Sequence, residues 1–488
     1  MFDTRHSQVL NLIASHAQSS PDKVALIAGE KHISYVHLVD AVERAAAYLN
    51  SLGICRGDYI ILSADKEVEF VFLYLAAHLL GVVNVVVDAG APVNRLKYIA
   101  DAVKPVAAFG VNMQLDSCRC IDPQIINFNH LAIDDTLYPV ISPEDVADVM
   151  FTTGTLGQPK GVCLSHANLA ASASNINGFI GNDDSDIEAL ALPLSHSFGL
   201  GRLRCVLVAG GTIVLVGNFA NLKALFQVIE TEHVTGLGMV PAAWQYIKRL
   251  SGRRIARFAN QLRYVEIGSA SLPVDDKRLL MELLPNTRLC MHYGLTEASR
   301  AIFSEFHHDA DNLDTIGRPV SSFVKVCVLD EAGSPVPDGE DGELCVKGNM
   351  VMCSYFNPKD NDGAFHGNWF KTGDWGHRDI NGNFYFSGRK KELINVGGEK
   401  VNPATIEDAI RATGVADCAC VAIPDPKGVL GEIPKAFLLR GQDVPTIEEI
   451  KNQLMKTLPS KEIPVQWEWV DIIPRTSSGK IQRLKLKQ

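Results

Sequence analysis

Long uninterrupted apolar runs, internal repeats and low-complexity segments are all missing from this sequence. Its most apolar stretch, VFLYLAAHLLGVVNVVV, is broken by His78, Gly81 and Asn84. It therefore predicts a buried helix followed by a strand, not a membrane span. The first residues, MFDTRHSQVLNLIASHAQSSPDK, lack the apolar core of a secretory signal. These absences predict a cytoplasmic protein that has no membrane partner.

An excess of basic charge is missing too, since 46 lysines and arginines face 56 acidic residues, for a net charge of −10. This balance argues against a general nucleic-acid-binding surface and predicts no nucleic-acid partner. The 11 cysteines form no CxxC pair, so neither a zinc site nor a redox motif is indicated. An odd number of scattered thiols fits a reducing compartment.

What the sequence does contain is a regular alternation of strand-like and helix-like segments. YIILSA, VEFVFLYLAAHLLG and VVNVVV follow one another, and the pattern returns at TIVLVG, LKALFQVIETEHV and YVEIGSA. Such alternation predicts an α/β fold of mostly parallel sheets covered by helices. Residues 317–386 change to short strands and turns, which predicts a β-rich subdomain. We place a boundary after residue 389, with a large N-terminal domain (1–389) and a small α+β C-terminal domain (390–488).

The first chemical signal is the segment Phe151–Gly161, FTTGTLGQPKG, which follows the strand-like DVADVM. Its glycines allow backbone N–H groups to approach an anion, and its threonine hydroxyls and one lysine add further donors. It is not a Walker A loop, because Lys160 follows a proline and precedes a glycine. A plain surface loop between strands is the alternative.

Further motifs follow in an order that resembles the adenylate-forming superfamily, which contains acyl-CoA synthetases, the adenylation domains of nonribosomal peptide synthetases, and beetle luciferases. After the phosphate-loop segment come LPLSH (192–196), GSASL (268–272), YGLTE (293–297), TGD (372–374), GRKKE (388–392) and PRTSSGK (474–480). Two departures are visible: Leu156 stands where the superfamily commonly has threonine, and GSASL replaces the commoner GGAPL.

The resemblance implies that a carboxylate attacks the α-phosphorus of ATP, so catalysis is mainly positioning and charge neutralisation. It implies Glu297 as the Mg²⁺ ligand, because hard cations prefer oxygen ligands. Thr296 would donate to the α-phosphate, and Lys480 would bridge the acyl carboxylate and the α-phosphate. His196 would border the acyl pocket, with a helix-capping histidine as the alternative.

The nucleotide contacts implied by the resemblance are spread over several motifs. Asp374 and Arg389 would bind the ribose, and Tyr293 would offer its ring to the adenine. The remaining predicted nucleotide-binding residues are Thr152, Thr153, Gly154, Thr155, Gly157, Lys160, Gly268, Ser269, Ala270, His292 and Gly294.

The acid substrate is harder to predict. Relatives that activate amino acids place an aspartate soon after the LPLSH motif, and the stretch SFGLGRLR has none, which argues against an α-amino acid. Phe198 and Arg202 are candidate substrate contacts, and a guanidinium at Arg202 could hold a second carboxylate. A structural ion pair is the alternative for Arg202, and the favoured one for Arg204.

The superfamily also implies a small domain that rotates between two half-reactions. Lys391 occupies the pivot position, and Gly398 would offer bare backbone beside the tunnel for a pantetheine arm. The leading prediction is an ATP- and Mg²⁺-dependent ligase that transfers the acyl group to coenzyme A. A stand-alone enzyme that loads the phosphopantetheine of a carrier protein is the alternative. A non-catalytic nucleotide-binding relative fits less well, because the phosphate loop, Glu297, Asp374 and Lys480 are all present.

Overall fold

The structure is a computed structural model that describes residues 7–111, 115, 118–126, 138–152, 159–441, 444–475 and 481–486. It divides into two compact units. The first comprises residues 1–153, 159–326 and 346–370, and the second comprises residues 154–158, 327–345 and 371–488. The second unit thus takes in residues before position 390, and the domain boundary after residue 389 stays a prediction.

The first sheet is parallel through its middle and antiparallel at both edges. Side by side, its strands are β14 (Ile302–Glu305), β13 (Arg288–Tyr293), β12 (Tyr264–Ile267), β11 (Gly236–Met239), β9 (Ile187–Leu190), β10 (Thr212–Leu215), β1 (Val24–Ala28) and β2 (Lys31–Ser34). Because β9 and β12 both flank β11, residues nearly 80 positions apart in the sequence lie only two strands apart.

The second sheet also combines a parallel part with an antiparallel edge. Side by side, its strands are β17 (Ser354–Tyr355), β8 (Lys160–Ser165), β7 (Val146–Thr152), β4 (Val83–Asp88), β3 (Tyr59–Ala64), β5 (Ala107–Phe109) and β6 (Arg119–Ile121).

The helices of the first unit follow the sheet strands as the alternation predicts. They are α1 (Gln8–Ser19), α2 (Tyr35–Ser51), α3 (Val68–Leu80), α4 (Val93–Val103), α5 (His166–Ile180), α6 (Ser197–Ala209), α7 (Leu222–Thr231), α8 (Pro241–Ser251) and α9 (Val274–Leu283). The broken apolar stretch is helix α3, buried almost throughout and ended by Gly81 in the left-handed region, followed by strand β4. No helix among the described residues is both long and apolar enough to pass through a membrane.

The predicted β-rich subdomain is confirmed as short strands. These are β15 (Val324–Leu329), β16 (Gly342–Gly348), β18 (Phe365–His366), β19 (Trp369–Arg378) and β20 (Phe384–Arg389). Strands β19 and β20 pair antiparallel, which places Asp374 opposite Arg389.

The C-terminal part of the second unit has the predicted α+β pattern. Its elements are β21 (Ile394–Val396), β22 (Glu399–Val401), α10 (Pro403–Ala412), β23 (Cys418–Pro424), β24 (Glu432–Leu439), α11 (Ile447–Leu454) and β25 (Gln466–Val470). Strands β23, β24 and β25 form a three-stranded sheet, and helix α10 packs against it through Ile406 and Ile410.

A buried polar cluster joins helices α3, α5 and α6 to strand β7. Asp148 is fully buried; it accepts hydrogen bonds from the Tyr74 hydroxyl (2.8 Å) and from Arg204 Nη1 (3.3 Å), and lies 2.8 Å from His78 Nε2. This confirms the structural ion pair favoured for Arg204. The ring of His166 lies 5.2 Å from the ring of His78, centroid to centroid. Burial and, to a smaller extent, the neighbouring His78 lower the pKa of His166 from 6.5 to about 3, although Asp148 and Asp145 oppose the shift.

This depressed pKa predicts acid destabilisation. The unfolded chain takes up a proton at His166 below about pH 6.5 and the folded chain does not, so the contribution of His166 to stability falls as the pH falls from 6.5 to about 3. His166→Gln, which cannot be protonated, is expected to retain about 2 kcal/mol of the stability that the wild type loses between pH 7 and pH 5. Urea unfolding at several pH values measures this, with exposed His32→Gln as the control. Equal pH slopes for His166→Gln and wild type would contradict the prediction.

Candidate active site

The structure contains the two strands, β7 and β8, that come directly before and after the predicted phosphate loop in the sequence. Strand β7 ends at Thr152 and β8 begins at Lys160; the two residues are paired, and the Thr152 hydroxyl lies 3.5 Å from the Lys160 carbonyl. Lys160 Nζ lies 3.0 Å from Asp360 Oδ1 and 4.8 Å from the centroid of the Tyr355 ring. The other predicted residues of this loop lie outside the described residues: Thr153, Gly154, Thr155 and Gly157.

The predicted metal ligand Glu297 is held by the same tyrosine. The Tyr355 hydroxyl donates to Glu297 Oε1 at 3.0 Å, and Tyr355 stays beside Lys160 because strand β17 pairs with β8. Within the part of the chain that the structure describes, Glu297 Oε2 accepts no hydrogen bond. A carboxylate with one oxygen anchored and one available is a fitting ligand for Mg²⁺. Tyr355 was missed by the sequence reasoning, since a lone tyrosine in a short segment gives no signal.

Thr296 and His196 are brought together through the start of helix α6. The hydroxyl of Ser197, the first residue of α6, lies 3.3 Å from the Thr296 hydroxyl. The backbone carbonyl of His196 accepts the N–H of Leu200 at 3.0 Å, but the His196 side chain makes no capping hydrogen bond. A helix-capping hydrogen bond therefore does not orient the His196 ring. The position of this ring at the acyl pocket stays a prediction.

The predicted adenine loop packs directly on strand β13, which leads into the YGLTE motif. Gly268 faces the ring of His292 so closely that a Cβ at position 268 would lie 2.1 Å from His292 Nε2. His292 Nδ1 lies 2.7 Å from Oε1 of fully buried Glu266. Burial lowers the pKa of His292 below its ordinary value, although Glu266 opposes this. Burial therefore favours the neutral form of His292, whose Nε2 faces Gly268.

The buried carboxylate of Glu266 lies between the guanidinium groups of Arg202 and Arg300, and Arg300 also contacts Phe198. Arg300 Nε donates to Glu266 Oε1 at 2.7 Å, and Arg300 Nη2 donates to the carbonyl of Phe198 at 3.2 Å. The Phe198 ring lies 4.7 Å from the His292 ring in an edge-on contact. Burial raises the pKa of Glu266, but Arg300, His292 and Arg202 outweigh it and hold that pKa well below its usual range. Glu266 thus fixes the positions of two predicted site residues.

Two further predicted positions show tight or strained backbone. Ser269 has a φ of 77°, a left-handed conformation that suits glycine better than serine, and such strain is common at ligand-binding loops. A Cβ at Gly294 would lie 2.3 Å from the backbone nitrogen of Arg300, so this position requires glycine. Ala270 follows Ser269 in the loop, and Tyr293 ends strand β13, half-buried.

For Arg202 the structure favours the ion-pair alternative over the substrate contact. The side chain is fully buried; Nε donates to both oxygens of Glu188 at 3.0 and 3.1 Å, and Nη1 lies 3.3 Å from Glu266 Oε2. Nη2 donates to Asn182 and to the Tyr264 hydroxyl, each at 3.1 Å. Nε and Nη2 are thus used within the protein and Nη1 faces a buried carboxylate, so the fully buried guanidinium presents no exposed donor to a second substrate carboxylate.

In the second unit, the two predicted ribose contacts are cross-strand partners. Arg389 Nε lies 2.8 Å from Asp374 Oδ1, and Arg389 Nη1 donates to the Thr372 carbonyl at 3.3 Å. The Asp374 side chain is 2% exposed, whereas that of Arg389 is 32% exposed. The structure therefore brings together the acceptor and the donor that were predicted for the ribose.

The remaining predicted residues lie in the second unit or outside the described chain. Lys391 is exposed, and its role as the pivot stays a prediction. Gly397 and Gly398 form the two-residue turn between β21 and β22, both with positive φ (61° and 93°), which explains the Gly-Gly pair without a ligand. The pantetheine role of Gly398 stays a prediction, and Lys480 lies outside the described residues.

Comparison with known families gives two matches on this chain. Residues 13–356 match the family described as AMP-binding enzyme, and residues 405–480 match the AMP-binding enzyme C-terminal domain. The chain is 28% identical to the 2-succinylbenzoate–CoA ligase of Bacillus licheniformis, over 98% of this chain and 99% of that protein. It is 30% identical to the oxalate–CoA ligase of Arabidopsis thaliana, over 97% of this chain and 96% of that protein.

The solved structures agree over nearly the whole length. The o-succinylbenzoate CoA synthetase of Bacillus subtilis, solved in complex with its acyl-adenylate intermediate, has a TM-score of 0.89 and 26% identity, and 98% of each chain is covered. The same enzyme in complex with ATP and magnesium ion also has a TM-score of 0.89, with 98% of this chain and 99% of that chain covered. The predicted fold class is thereby confirmed.

Proposed function

The chain belongs to the AMP-binding enzyme family, and we propose that it joins a small carboxylic acid to the thiol of coenzyme A at the expense of ATP. In the first step a carboxylate oxygen of the acid attacks the α-phosphorus of ATP and pyrophosphate leaves. In the second step the sulfur of coenzyme A attacks the acyl carbon, AMP leaves with the C–O bonding electrons, and the thiol proton passes to solvent. The protein is thus an acid–thiol ligase.

The observation that carries this proposal is the arrangement around Tyr355. The Tyr355 ring lies beside the ammonium of Lys160, and its hydroxyl donates to Glu297, so one tyrosine holds together a cation and an available carboxylate oxygen. Lys160 would neutralise a phosphate oxygen, and Glu297 would hold Mg²⁺. The magnesium ion would supply positive charge to the triphosphate and the departing pyrophosphate.

The roles of the other residues follow from the chemistry of the first step. Asp374 would accept both ribose hydroxyls, with Arg389 donating to the same sugar. Thr296 and Lys480 would donate to the α-phosphate as the carboxylate approaches, since two anions must meet there. The neutral His292 against Gly268 would form a firm base for the adenine loop.

The second step would use a rotation of the C-terminal segment about Lys391. This rotation would withdraw Lys480 and bring the Gly398 turn to the tunnel for the pantetheine arm. The reason for such a rotation is that Lys480, which has a long and flexible side chain, would serve the first step and would have to leave before the thiol enters.

ATP–pyrophosphate exchange over a panel of acids tests the proposal. The panel contains dicarboxylic, aromatic, fatty, hydroxy and amino acids, because the relatives reported above are named for succinylbenzoate and oxalate, which both carry two carboxylates. We expect magnesium-dependent exchange with one class of non-amino acid and none with the amino acids. Absence of exchange with every acid, together with absence of ATP binding by calorimetry, would refute the proposal.

The acceptor is tested in the same preparation. Coenzyme A is expected to convert the adenylate formed in the exchange assay into a thioester, detected by mass spectrometry. A carrier protein bearing phosphopantetheine serves as the second acceptor. Thioester formation on the carrier protein alone would replace coenzyme A in the proposal and leave the first step intact.

A further inference from the structure

Asp360 is the acidic partner of Lys160, the lysine that follows the predicted phosphate loop. Its Oδ1 lies 3.0 Å from Lys160 Nζ, and within the described parts of the chain no other carboxylate oxygen lies within 4.0 Å of that ammonium. The Asp360 side chain is 24% exposed and that of Lys160 is 43% exposed. The ammonium that would neutralise a phosphate oxygen thus already has a protein carboxylate beside it.

Two hydrogen bonds fix the turn that carries Asp360. This turn is a short 3₁₀ helix, Pro358–Asn361. The Asn361 side chain accepts the Tyr355 N–H at 2.8 Å and donates to the Tyr355 carbonyl at 3.1 Å. Because strand β17, which ends at Tyr355, pairs with β8, the turn stays beside the strand that begins at Lys160. The Asp360 carboxylate is therefore kept near Lys160 by fixed backbone.

Lys160 can exchange one partner for another without a backbone movement. Its backbone is held in strand β8, opposite Thr152 of β7. Its ammonium lies at the end of a flexible four-carbon chain. Ion pairs that water can reach are weak, so an anion of higher charge can take the ammonium from Asp360. The triphosphate of ATP and the departing pyrophosphate are such anions.

This exchange lowers the affinity for phosphate. A phosphate group that binds Lys160 must first break the pair between Lys160 and Asp360, and the free energy of that pair is subtracted from the free energy of binding. Departure of the phosphate restores the pair. Pyrophosphate lacks the contacts that the adenine and the ribose would give ATP, so the weaker hold on its charge matters most for its release.

We propose that Asp360 is a positioning residue that sets the affinity for pyrophosphate, because it competes with phosphate oxygens for the Lys160 ammonium. This inference rests on the proposed function and deepens it at the leaving group. Asp360 holds the ammonium before ATP binds, loses it to the triphosphate, and takes it back as pyrophosphate leaves. No covalent bond changes in this exchange. Its effect is to speed the release of pyrophosphate and so to disfavour reversal of the adenylation step.

The test is the substitution Asp360→Asn, which keeps the shape of the side chain and removes its charge. Calorimetry measures the binding of two probes, MgATP without an acid and magnesium pyrophosphate. We expect the Kd for each probe to fall about fivefold, because the carboxylate no longer competes. Since changes of affinity appear mainly in the dissociation rate, pyrophosphate should leave about fivefold more slowly in stopped-flow measurements. The matched control is Asp362→Asn, which removes the same charge from an exposed residue two positions away and should stay within about twofold of wild type.

A second substitution, Lys160→Met, shows whether Asp360 acts through the lysine. In a Lys160→Met background, Asp360→Asn should change the Kd for pyrophosphate by less than about twofold, since no ammonium is left to compete for. Direct repulsion between Asp360 and phosphate would persist in that background. An equal gain of affinity in both backgrounds would therefore overturn the proposal.

Unchanged or weaker binding of pyrophosphate by Asp360→Asn would overturn the proposal as well, and a higher Mg²⁺ requirement in that variant would identify Asp360 as a metal ligand instead. A loss of folding cannot produce the tighter binding that is expected. Failure of the proposed function is distinguishable, because the wild type would then bind no ATP and show no exchange. A wild type that does both, together with an unchanged Asp360→Asn, would refute this inference alone.

Discussion

Exchange of Glu297 for glutamine is expected to slow acyl-adenylate formation by about 100- to 1000-fold. Glutamine keeps the length of the side chain and an oxygen that can accept the Tyr355 hydroxyl, which lies 3.0 Å from Glu297 Oε1. The substitution therefore removes the negative charge and little else. A neutral amide is a poor ligand for Mg²⁺ compared with a carboxylate, so the triphosphate would lose part of its charge compensation.

The measurement is the exchange rate at a series of Mg²⁺ concentrations. We expect Glu297→Gln to require much more Mg²⁺ for its remaining activity, while Glu230→Gln, at a carboxylate that is 69% exposed in the same unit, behaves as wild type. Exchange within threefold of wild type at every Mg²⁺ concentration would show that Glu297 does not bind the metal.

Much of the fold could be predicted because local patterns agree with the elements that form. The apolar spacing over residues 8–18 and 35–52 predicts two amphipathic helices, and these are α1 and α2. The short apolar runs YIILSA and CACVAIPD are strands β3 and β23. Strand order was beyond the sequence, because the placement of β11 between β9 and β12 depends on packing over many residues.

The candidate site was predicted mainly by motif resemblance, and the groups that hold it were missed. Glu266 lies inside the apolar strand YVEI and Glu188 inside IEAL, and an acidic residue in such a run signals a buried partner. Arg202 and Arg204 give the complementary signal in an apolar helix. The sequence does not say which acid meets which arginine, since that follows from strand order. The sequence alone therefore allows two interpretations of Arg202, a substrate contact and an ion pair.

Substitution of Arg202 by methionine is expected to lower the free energy of unfolding by about 3–5 kcal/mol. Burial alone would lower the pKa of Arg202, but Glu188, Tyr264 and Glu266 raise it well above its ordinary value. Methionine fills a similar volume and leaves the fully buried Glu188 without its cation. Glu266 keeps Arg300 and His292, so the loss falls mainly on Glu188.

Urea unfolding of three variants decides between the two interpretations of Arg202. Arg202→Met alone should unfold at a much lower urea concentration, and adding Glu188→Gln should recover a large part of the loss, because the buried carboxylate is then neutral and still hydrogen-bonded to Tyr264. Exposed Arg249→Met is the control and should match wild type. If Arg202→Met instead unfolds as the wild type does while the KM for the acid rises more than about tenfold, Arg202 binds substrate. The role of the buried ion pair in holding strands β9 and β12 to helix α6 would then be refuted.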